Sequence, residues 1–222
     1  NKFGISMQDM DHVIDVAQEM KNVKFIGLHF HIGSQILDMG DFVALCNRVN
    51  ELLDKLEARQ IRIEHVNVGG GLGIDYGHPN RQPVPDFKSY FETYDNCLKL
   101  RSYQTLHFEL GRSVVGQCGS LIAKVLYVKQ GTNKQFAILD AGMTDLIRPA
   151  LYQAFHKIEN ITSDAPQQTY DVVGPICESS DVFGKAVDLN GVKRGDLIAL
   201  RSAGALRNHA AYVCLPHASA PH

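Results

Sequence analysis

A short apolar run, His65-Val66-Asn67-Val68, stops at three consecutive glycines, Gly69-Gly70-Gly71, before Leu72-Gly73-Ile74-Asp75-Tyr76. A buried strand that ends this way limits what the chain can become. Glycine admits positive φ and close backbone approach, and its free N–H groups can cradle an anion. The spacing is not the dinucleotide pattern GxGxxG, and no Gly-Lys-Ser/Thr follows to make a nucleotide P-loop. Alone, three glycines make a tight turn. Two neighbouring strands that end in equally unusual residues give the turn a second meaning.

Lys24 to His31 reads as a strand ending at Ile32-Gly33-Ser34, and Gln104 to Glu109 as a strand ending at Leu110-Gly111-Arg112. Apolar spacings of three and four predict helices between them. The first runs from near Ser6 to Lys21 and carries Met10, Val13, Ala17 and Met20. The second runs from Asp41 to Arg59, with Phe42, Leu45, Val49, Leu52 and Leu56 toward the core. The third, Asp86 to Leu100, follows a loop containing Pro79, Pro83 and Pro85. Residues 1–112 thus alternate strand and helix, the pattern of parallel sheets and (β/α) barrels. From Ser120 the character changes. Leu121 to Val128, Gln135 to Leu139, Tyr170 to Val173 and Asp196 to Arg201 read as strands, with one helical turn around Ile147 to Phe155. We place the boundary between Gly116 and Ser120, giving an α/β domain over 1–117 and a mainly β domain over 118–222. A complete (β/α)8 barrel takes about 250 residues. Three strand-helix units make either a small open sheet or part of a barrel with five strands upstream of Asn1. Because a parallel sheet needs cover on both faces, the partial barrel is expected.

Composition removes several classes of function. The 222 residues carry 22 Lys and Arg against 24 Asp and Glu, a net charge of −2. No basic stripe is present for nucleic acid or an anionic membrane. No apolar run approaches the ~20 residues of a membrane span, and no signal peptide precedes the first helix. Cys46, Cys97, Cys118, Cys177 and Cys214 are scattered, odd in number and without a CxxC pair. That usage suits a reducing cytoplasm rather than a disulfide framework or a zinc site.

Parallel barrels react at the C-terminal ends of their strands. The three ends here offer His29, His31 and Ser34, then Gly69 to Gly71, then Glu109 and Arg112. A hydroxyl, backbone amides and a guanidinium together suit a phosphate. A carboxylate and an imidazole beside them suit a cofactor with a basic ring nitrogen, which describes pyridoxal 5′-phosphate (PLP). Glu109 would pair with the pyridine nitrogen and His31 would lie on the ring. Taken singly, the histidine reads as a core residue and the Glu-Arg pair as a surface ion pair worth ~0–1 kcal/mol. Their coincidence at three successive strand ends is what favours the cofactor.

The stretches Gly27 to Gln35, Asn67 to Tyr76 and Glu109 to Arg112 resemble the fold-type III PLP-dependent decarboxylases. Asp140 to Tyr152 and Gly174 to Asp181 narrow the resemblance to the diaminopimelate decarboxylases, from Lys2 to about Ala205. The resemblance implies the C-terminal part of a PLP-binding (β/α)8 TIM-like barrel, followed by a mainly antiparallel β domain. It implies decarboxylation of meso-2,6-diaminopimelate to L-lysine and CO2, a step of lysine biosynthesis. His31 is similar to the ring-stacking residue and Glu109 to the pyridine partner. Ser34, Gly70, Gly71, Gly111 and Arg112 match cofactor contacts, with Arg112 also at the substrate. Arg148 and Tyr152 resemble the holders of the distal carboxylate, and Glu178 the residue that reads the distal ammonium. Cys177 resembles the general acid that reprotonates the substrate carbon. In the family Cys177 and Glu178 reach a neighbouring subunit's site, which implies a homodimer. No metal is implied.

Two departures follow from the same resemblance. The family's PLP lysine lies on the first barrel strand, upstream of this sequence, so the chain is expected to lack the cofactor's covalent anchor and to be inactive alone. The family continues Gly-Ala-Tyr where this chain reads Gly204-Ala205-Leu206. A frameshift after Ala205 is expected, with a tail to His222 that has no strand alternation. His209, His217 and His222 are too irregularly spaced for a metal site. The readings that compete are an ornithine-, arginine- or carboxynorspermidine-type decarboxylase, and a non-catalytic homologue that binds a partner.

Overall fold

The computed structural model describes residues 3–205. The tail from Leu206 onward, with the expected frameshift, the missing tyrosine and the three histidines, lies outside the described residues. The chain forms two compact units. One takes the chain up to Gly71 together with Lys88–Leu110; the other takes Leu72–Phe87 and the chain from Gly111 onward.

The first unit is a parallel sheet of three strands, each preceded by a helix. Helix α1 (Met10–Glu19) precedes β1 (Gly27–His29); α2 (Met39–Ala58) precedes β2 (His65–Asn67); and α3 (Phe87–Cys97) precedes β3 (Thr105–His107). The order is β1-β2-β3, with Leu28 opposite Val66 and Val66 opposite Leu106. Asp38, extended at the N-cap of α2, accepts a hydrogen bond from Gly40 N at 2.8 Å, so a short polar side chain fixes where the helix begins. The helix stops where Gln60 turns left-handed at φ 58°. All five expected core positions of α2 are buried, Phe42 and Val49 completely. Phe42 meets Tyr90 of α3 edge to face, ring centroids 4.9 Å apart, and Phe108 meets Tyr94 at 5.2 Å. Because side chains alternate along a strand, Leu28 and Val66 are buried on one side. His29, His65, Asn67 and His107 share the other side, where exposure is greater.

The strands are shorter than the apolar runs suggest, yet their pairing continues past the last residue of each. Phe30 N donates to Asn67 O at 2.8 Å, Val68 N to His107 O at 3.0 Å, Glu109 N to Gly69 O at 2.8 Å, and Ile36 N to Gly71 O at 2.9 Å. The three glycines make this stitching possible. A β-carbon on Gly69 (φ +70°) would fall on the Phe30 carbonyl oxygen, and one on Gly71 (φ +104°) would come within 2.7 Å of Gly33 O. On Gly70 it would strike the Glu109 carbonyl from the opposite side. The turn is thus wedged between the ends of β1 and β3 by backbone alone.

The second unit is a six-stranded sheet. It opens with α4 (Arg112–Val115) and a single 3-10 turn (Gly116–Cys118). Then come β4 (Leu121–Gln130), β5 (Gln135–Leu139), α5 (Arg148–Tyr152), β6 (Ile158–Asn160), β7 (Gln167–Val173), β8 (Val182–Asn190) and β9 (Leu197–Leu200). The order is β6-β9-β4-β5-β7-β8, antiparallel throughout except for the parallel β5–β7 pair. The sheet curls so that its first and last strands approach: Asn160 Nδ2 donates to Asn190 O at 3.2 Å. Leu121, Ala123 and Val125 of β4 point inward and join Leu139, Val172, Ile198 and Leu200 in one buried cluster. The architecture is the expected one, a partial TIM-like α/β barrel region and a mainly antiparallel β domain. No helix among the described residues is long and apolar enough to cross a membrane.

Two strands were not expected. β6 is three residues long, too short for a period-2 signal. β8 is interrupted by Gly184 and by Ala186, which turns left-handed at φ 51° while its N–H donates to Asp171 Oδ1 at 2.9 Å. This bulge breaks the alternation that marks a strand in sequence.

Gly70→Ala is expected to cost about 3 kcal/mol or more, since neither backbone can yield. Gly111→Ala, whose added carbon meets nothing within 4 Å, is expected to change stability by less than about 0.5 kcal/mol. Urea unfolding of the two variants measures the contrast.

Candidate active site

In the first unit the parallel strands bring their C-terminal ends to one edge, and the polar side chains there are linked. Glu109 Oε1 accepts from Asn67 Nδ2 at 2.9 Å, and its Oε2 lies 3.4 Å from His29 Nε2. Asn67 Oδ1 in turn accepts from Gly69 N at 2.8 Å. One amide therefore orients the Glu109 carboxylate and holds the start of the glycine turn. Among the described residues, no acceptor takes the N–H of Gly70 or Gly71. His31 lies beside the turn, its Nδ1 3.3 Å from where a β-carbon on Gly69 would sit, and it is exposed, as is Ser34. The edge thus gathers His29, His31, Ser34, Gly69 to Gly71 and Glu109. On the same sheet face His65 Nδ1 and His107 Nε2 are 2.9 Å apart. One ring offers a lone pair to the other.

The second unit holds the cationic residues. Arg112 opens α4 and Arg148 opens α5. Both donate from Nη1 to the Tyr76 hydroxyl, at 2.7 and 2.8 Å. The Arg148 guanidinium also sits 5.0 Å from the centroid of the Tyr76 ring. A second contact fixes Arg148: its Nη1 lies 3.0 Å from His156 Nε2, while His156 Nδ1 lies 2.9 Å from the Arg201 carbonyl oxygen. A carbonyl only accepts, so His156 carries its proton on Nδ1 and offers the Nε2 lone pair to Arg148. Burial pushes the His156 imidazole down to about 4, against the upward pull of its bond to Arg201 and with help from the nearby guanidiniums. Burial also lowers the pKa of Arg148. Among the described residues no carboxylate lies within ion-pair distance of Arg148. Tyr152 ends the same short helix and is 66% exposed.

Cys177 and Glu178 are exposed on the loop between β7 and β8. Its anchor is Asp181, which is 2% exposed. Asp181 Oδ1 accepts from Met143 N at 2.6 Å and Oδ2 from Ile176 N at 2.9 Å, while its carbonyl accepts from Gly174 N at 3.0 Å. The carboxylate pins this loop to the turn at Gly142 to Asp145, itself closed by Gly142 N donating to Asp145 Oδ2 at 3.0 Å.

The structure therefore places His31, Ser34, Gly70, Gly71 and Glu109 in one unit, and Gly111, Arg112, Arg148, Tyr152, Cys177 and Glu178 in the other. Asn67, Tyr76, His156 and Asp181 were given no role from sequence. Asn67, Tyr76 and Asp181 lie inside the stretches that carry the family resemblance, but nothing in their spacing separates them from scaffold. His156 carried no signal at all, since a lone histidine after a helical turn has no pattern. Among the described residues no group of three or more His, Cys, Asp or Glu forms a metal-binding cluster.

Two outcomes follow from these contacts. His156 has a folded pKa of about 4 against 6.5 for the free group. The stability tied to its neutral form is therefore complete above pH 6.5 and lost as pH falls through 4, a change of about 3 kcal/mol. Urea unfolding across this range should show that slope, and His156→Gln should lack it. Asp181→Asn replaces one acceptor with a donor and is expected to cost about 1–3 kcal/mol. Amide exchange at Met143 and Ile176 should rise together in that variant.

Comparison with known proteins gives the family. The family model described as pyridoxal-dependent decarboxylase, C-terminal sheet domain, matches residues 12–204. The diaminopimelate decarboxylase of Bacteroides thetaiotaomicron is 87% identical over 205 residues, covering 92% of this chain and 53% of that protein. That of Neisseria meningitidis serogroup B is 43% identical over 206 residues, covering 92% and 49%. Among solved structures, Helicobacter pylori diaminopimelate decarboxylase complexed with L-lysine matches with a TM-score of 0.85 at 37% identity, over 95% of this chain and 52% of that one. A protein of Aquifex aeolicus matches with a TM-score of 0.86 at 34% identity, over 95% and 51%. The chain spans about half the length of the curated relatives it matches. With a family model covering nearly the whole described chain and a fold shared with solved members, the chain belongs to the pyridoxal-dependent decarboxylase family.

Proposed function

We propose that this chain carries cofactor- and substrate-facing side chains of a diaminopimelate decarboxylase, acting on meso-2,6-diaminopimelate to give L-lysine and CO2. One observation carries the reading: Arg148 is partly buried, held by two neutral acceptors, and without a carboxylate partner among the described residues. A cation kept in that state suits a substrate with a second carboxylate. Ornithine or arginine would bring a cation to it instead.

The residues present fit PLP. Unengaged Gly70 and Gly71 amides, the Ser34 hydroxyl, and the Glu109 carboxylate oriented by Asn67 lie at one sheet edge. Gly111 has open space where a side chain would be. In this reading Ser34, Gly70, Gly71, Gly111 and Arg112 bind the phosphate end, His31 lies on the ring, and Glu109 holds a proton at the pyridine nitrogen. When bound, PLP supplies a pyridinium that takes up the electron pair released as CO2 leaves. Arg148 and Tyr152 hold the distal carboxylate, Arg112 also touches the substrate, and Glu178 reads the distal ammonium. Cys177 Sγ delivers a proton to the substrate carbon. Strands β1 to β3 contain no lysine, and Lys24 lies before β1, paired at 3.6 Å with Glu64, which lies before β2. The reading thus assigns no covalent anchor to the described residues, and we expect the chain by itself to turn over little.

Cys177 and Glu178 are proposed to serve the site of a second copy in a homodimer. Leu151, Phe155 and Ile176, 59%, 61% and 39% exposed, give that loop and α5 an apolar surface consistent with such a contact.

The reduced phosphopyridoxyl conjugates of meso-2,6-diaminopimelate, joined at its D-centre amine, and of D-lysine, joined at its α-amine, differ only in the distal carboxylate. Calorimetry on the chain should find the first bound at least about tenfold more tightly, with Arg148→Gln erasing the difference. Equal affinity of the unsubstituted chain for both would sink the reading.

A further inference from the structure

A guanidinium offers five N–H donors in one plane, and the ones its neighbours occupy decide which edge it presents to an anion. Arg148 Nη1 has two protons and two acceptors, the Tyr76 hydroxyl at 2.8 Å and His156 Nε2 at 3.0 Å. Among the described residues nothing accepts from its Nε or Nη2. Those two N–H groups lie side by side on one edge, the fork that meets both oxygens of a carboxylate.

The kind of acceptor matters as much as its place. Other arginines of the chain are held by carboxylates: Arg101 by Asp54 and Glu57, Arg59 by Asp11 and Asp15, Arg201 by Glu159. Such partners orient a guanidinium but also cancel its charge. A phenol and a neutral imidazole orient it and leave the charge intact. His156 meets that requirement because it is 2% exposed and its Nδ1 proton is fixed on the Arg201 carbonyl. Arg201 is itself fixed through Nε, 2.6 Å from Glu159 Oε2.

We propose that His156 and Tyr76 are positioning residues. By taking both Nη1 protons of Arg148 with neutral acceptors, they reserve its Nε–Nη2 edge and its full charge for a substrate carboxylate. The inference rests on the reading that Arg148 receives the distal carboxylate of diaminopimelate, and it adds two residues that touch neither substrate nor cofactor.

The test compares the same two phosphopyridoxyl conjugates on the intact chain carrying His156→Leu, His156→Gln or Tyr76→Phe. His156→Leu removes the acceptor, and Tyr76→Phe removes one oxygen atom with little risk to folding. His156→Leu should weaken the diaminopimelate conjugate about tenfold and leave the lysine conjugate unchanged. Tyr76→Phe, which also removes an acceptor of Arg112, should weaken the diaminopimelate conjugate about tenfold more than the lysine conjugate. His156→Gln, whose side-chain oxygen can replace Nε2, should recover affinity to within about threefold. Nitrogen-15 spectra of the imidazole should show His156 neutral with its proton on Nδ1 at pH 7. If Arg148→Gln abolishes the preference while His156→Leu and Tyr76→Phe retain it, the carboxylate site stands and the positioning role falls. A proton on Nε2 in the spectra also overturns the role. No preference in the unsubstituted chain overturns both.

Discussion

Backbone touching backbone at the glycine turn is the constraint on which the first unit depends. Gly69 and Gly71 lie against Phe30 and Gly33, and Gly70 against Glu109, closer than any β-carbon permits. Strand ends held this tightly position the groups they carry without help from side-chain packing. Glu109 inherits its place from the bond between its own N–H and Gly69 O, and its orientation from Asn67, which also holds Gly69 N. The same few atoms thus set both the carboxylate and the turn. Beneath them the edge-to-face rings of Phe42, Tyr90, Tyr94 and Phe108 form an apolar floor against which helices α2 and α3 are fixed.

The second unit solves a different problem, the holding of cations. Its short helices α4 and α5 have too few residues to rely on helical packing, so Arg112 and Arg148 are located by one phenol and one imidazole. The imidazole is in turn fixed by the chain just beyond β9 through the Arg201 carbonyl. The order of dependence runs from sheet to carbonyl to ring to guanidinium. A buried β framework that curls until Asn160 reaches Asn190 gives that series a rigid origin.

Much of this was legible in the sequence, and the reasons are specific. Helix α2 showed itself because its five apolar positions fall on one face and all five are buried. The glycine turn showed itself because three adjacent glycines have few other uses. What stayed hidden depended on partners far along the chain. Tyr76 and Arg148 are 72 positions apart, and His156 and Arg201 are 45 apart. No local period reports such pairs. β8 escaped for the opposite reason: its signal is local, but Gly184 and the left-handed Ala186 erase the alternation. Asp181 sat in view, and its charge gave no hint that it is almost completely buried.

Asp181 also has a mechanical consequence. One carboxylate grips Met143 N with one oxygen and Ile176 N with the other. The segment bearing Cys177 and Glu178 and the turn at Gly142 to Asp145 therefore share a single rivet. Neither can swing without drawing the other along or breaking a buried bond. Opening of this region would be a concerted hinge rather than the independent fraying of two loops.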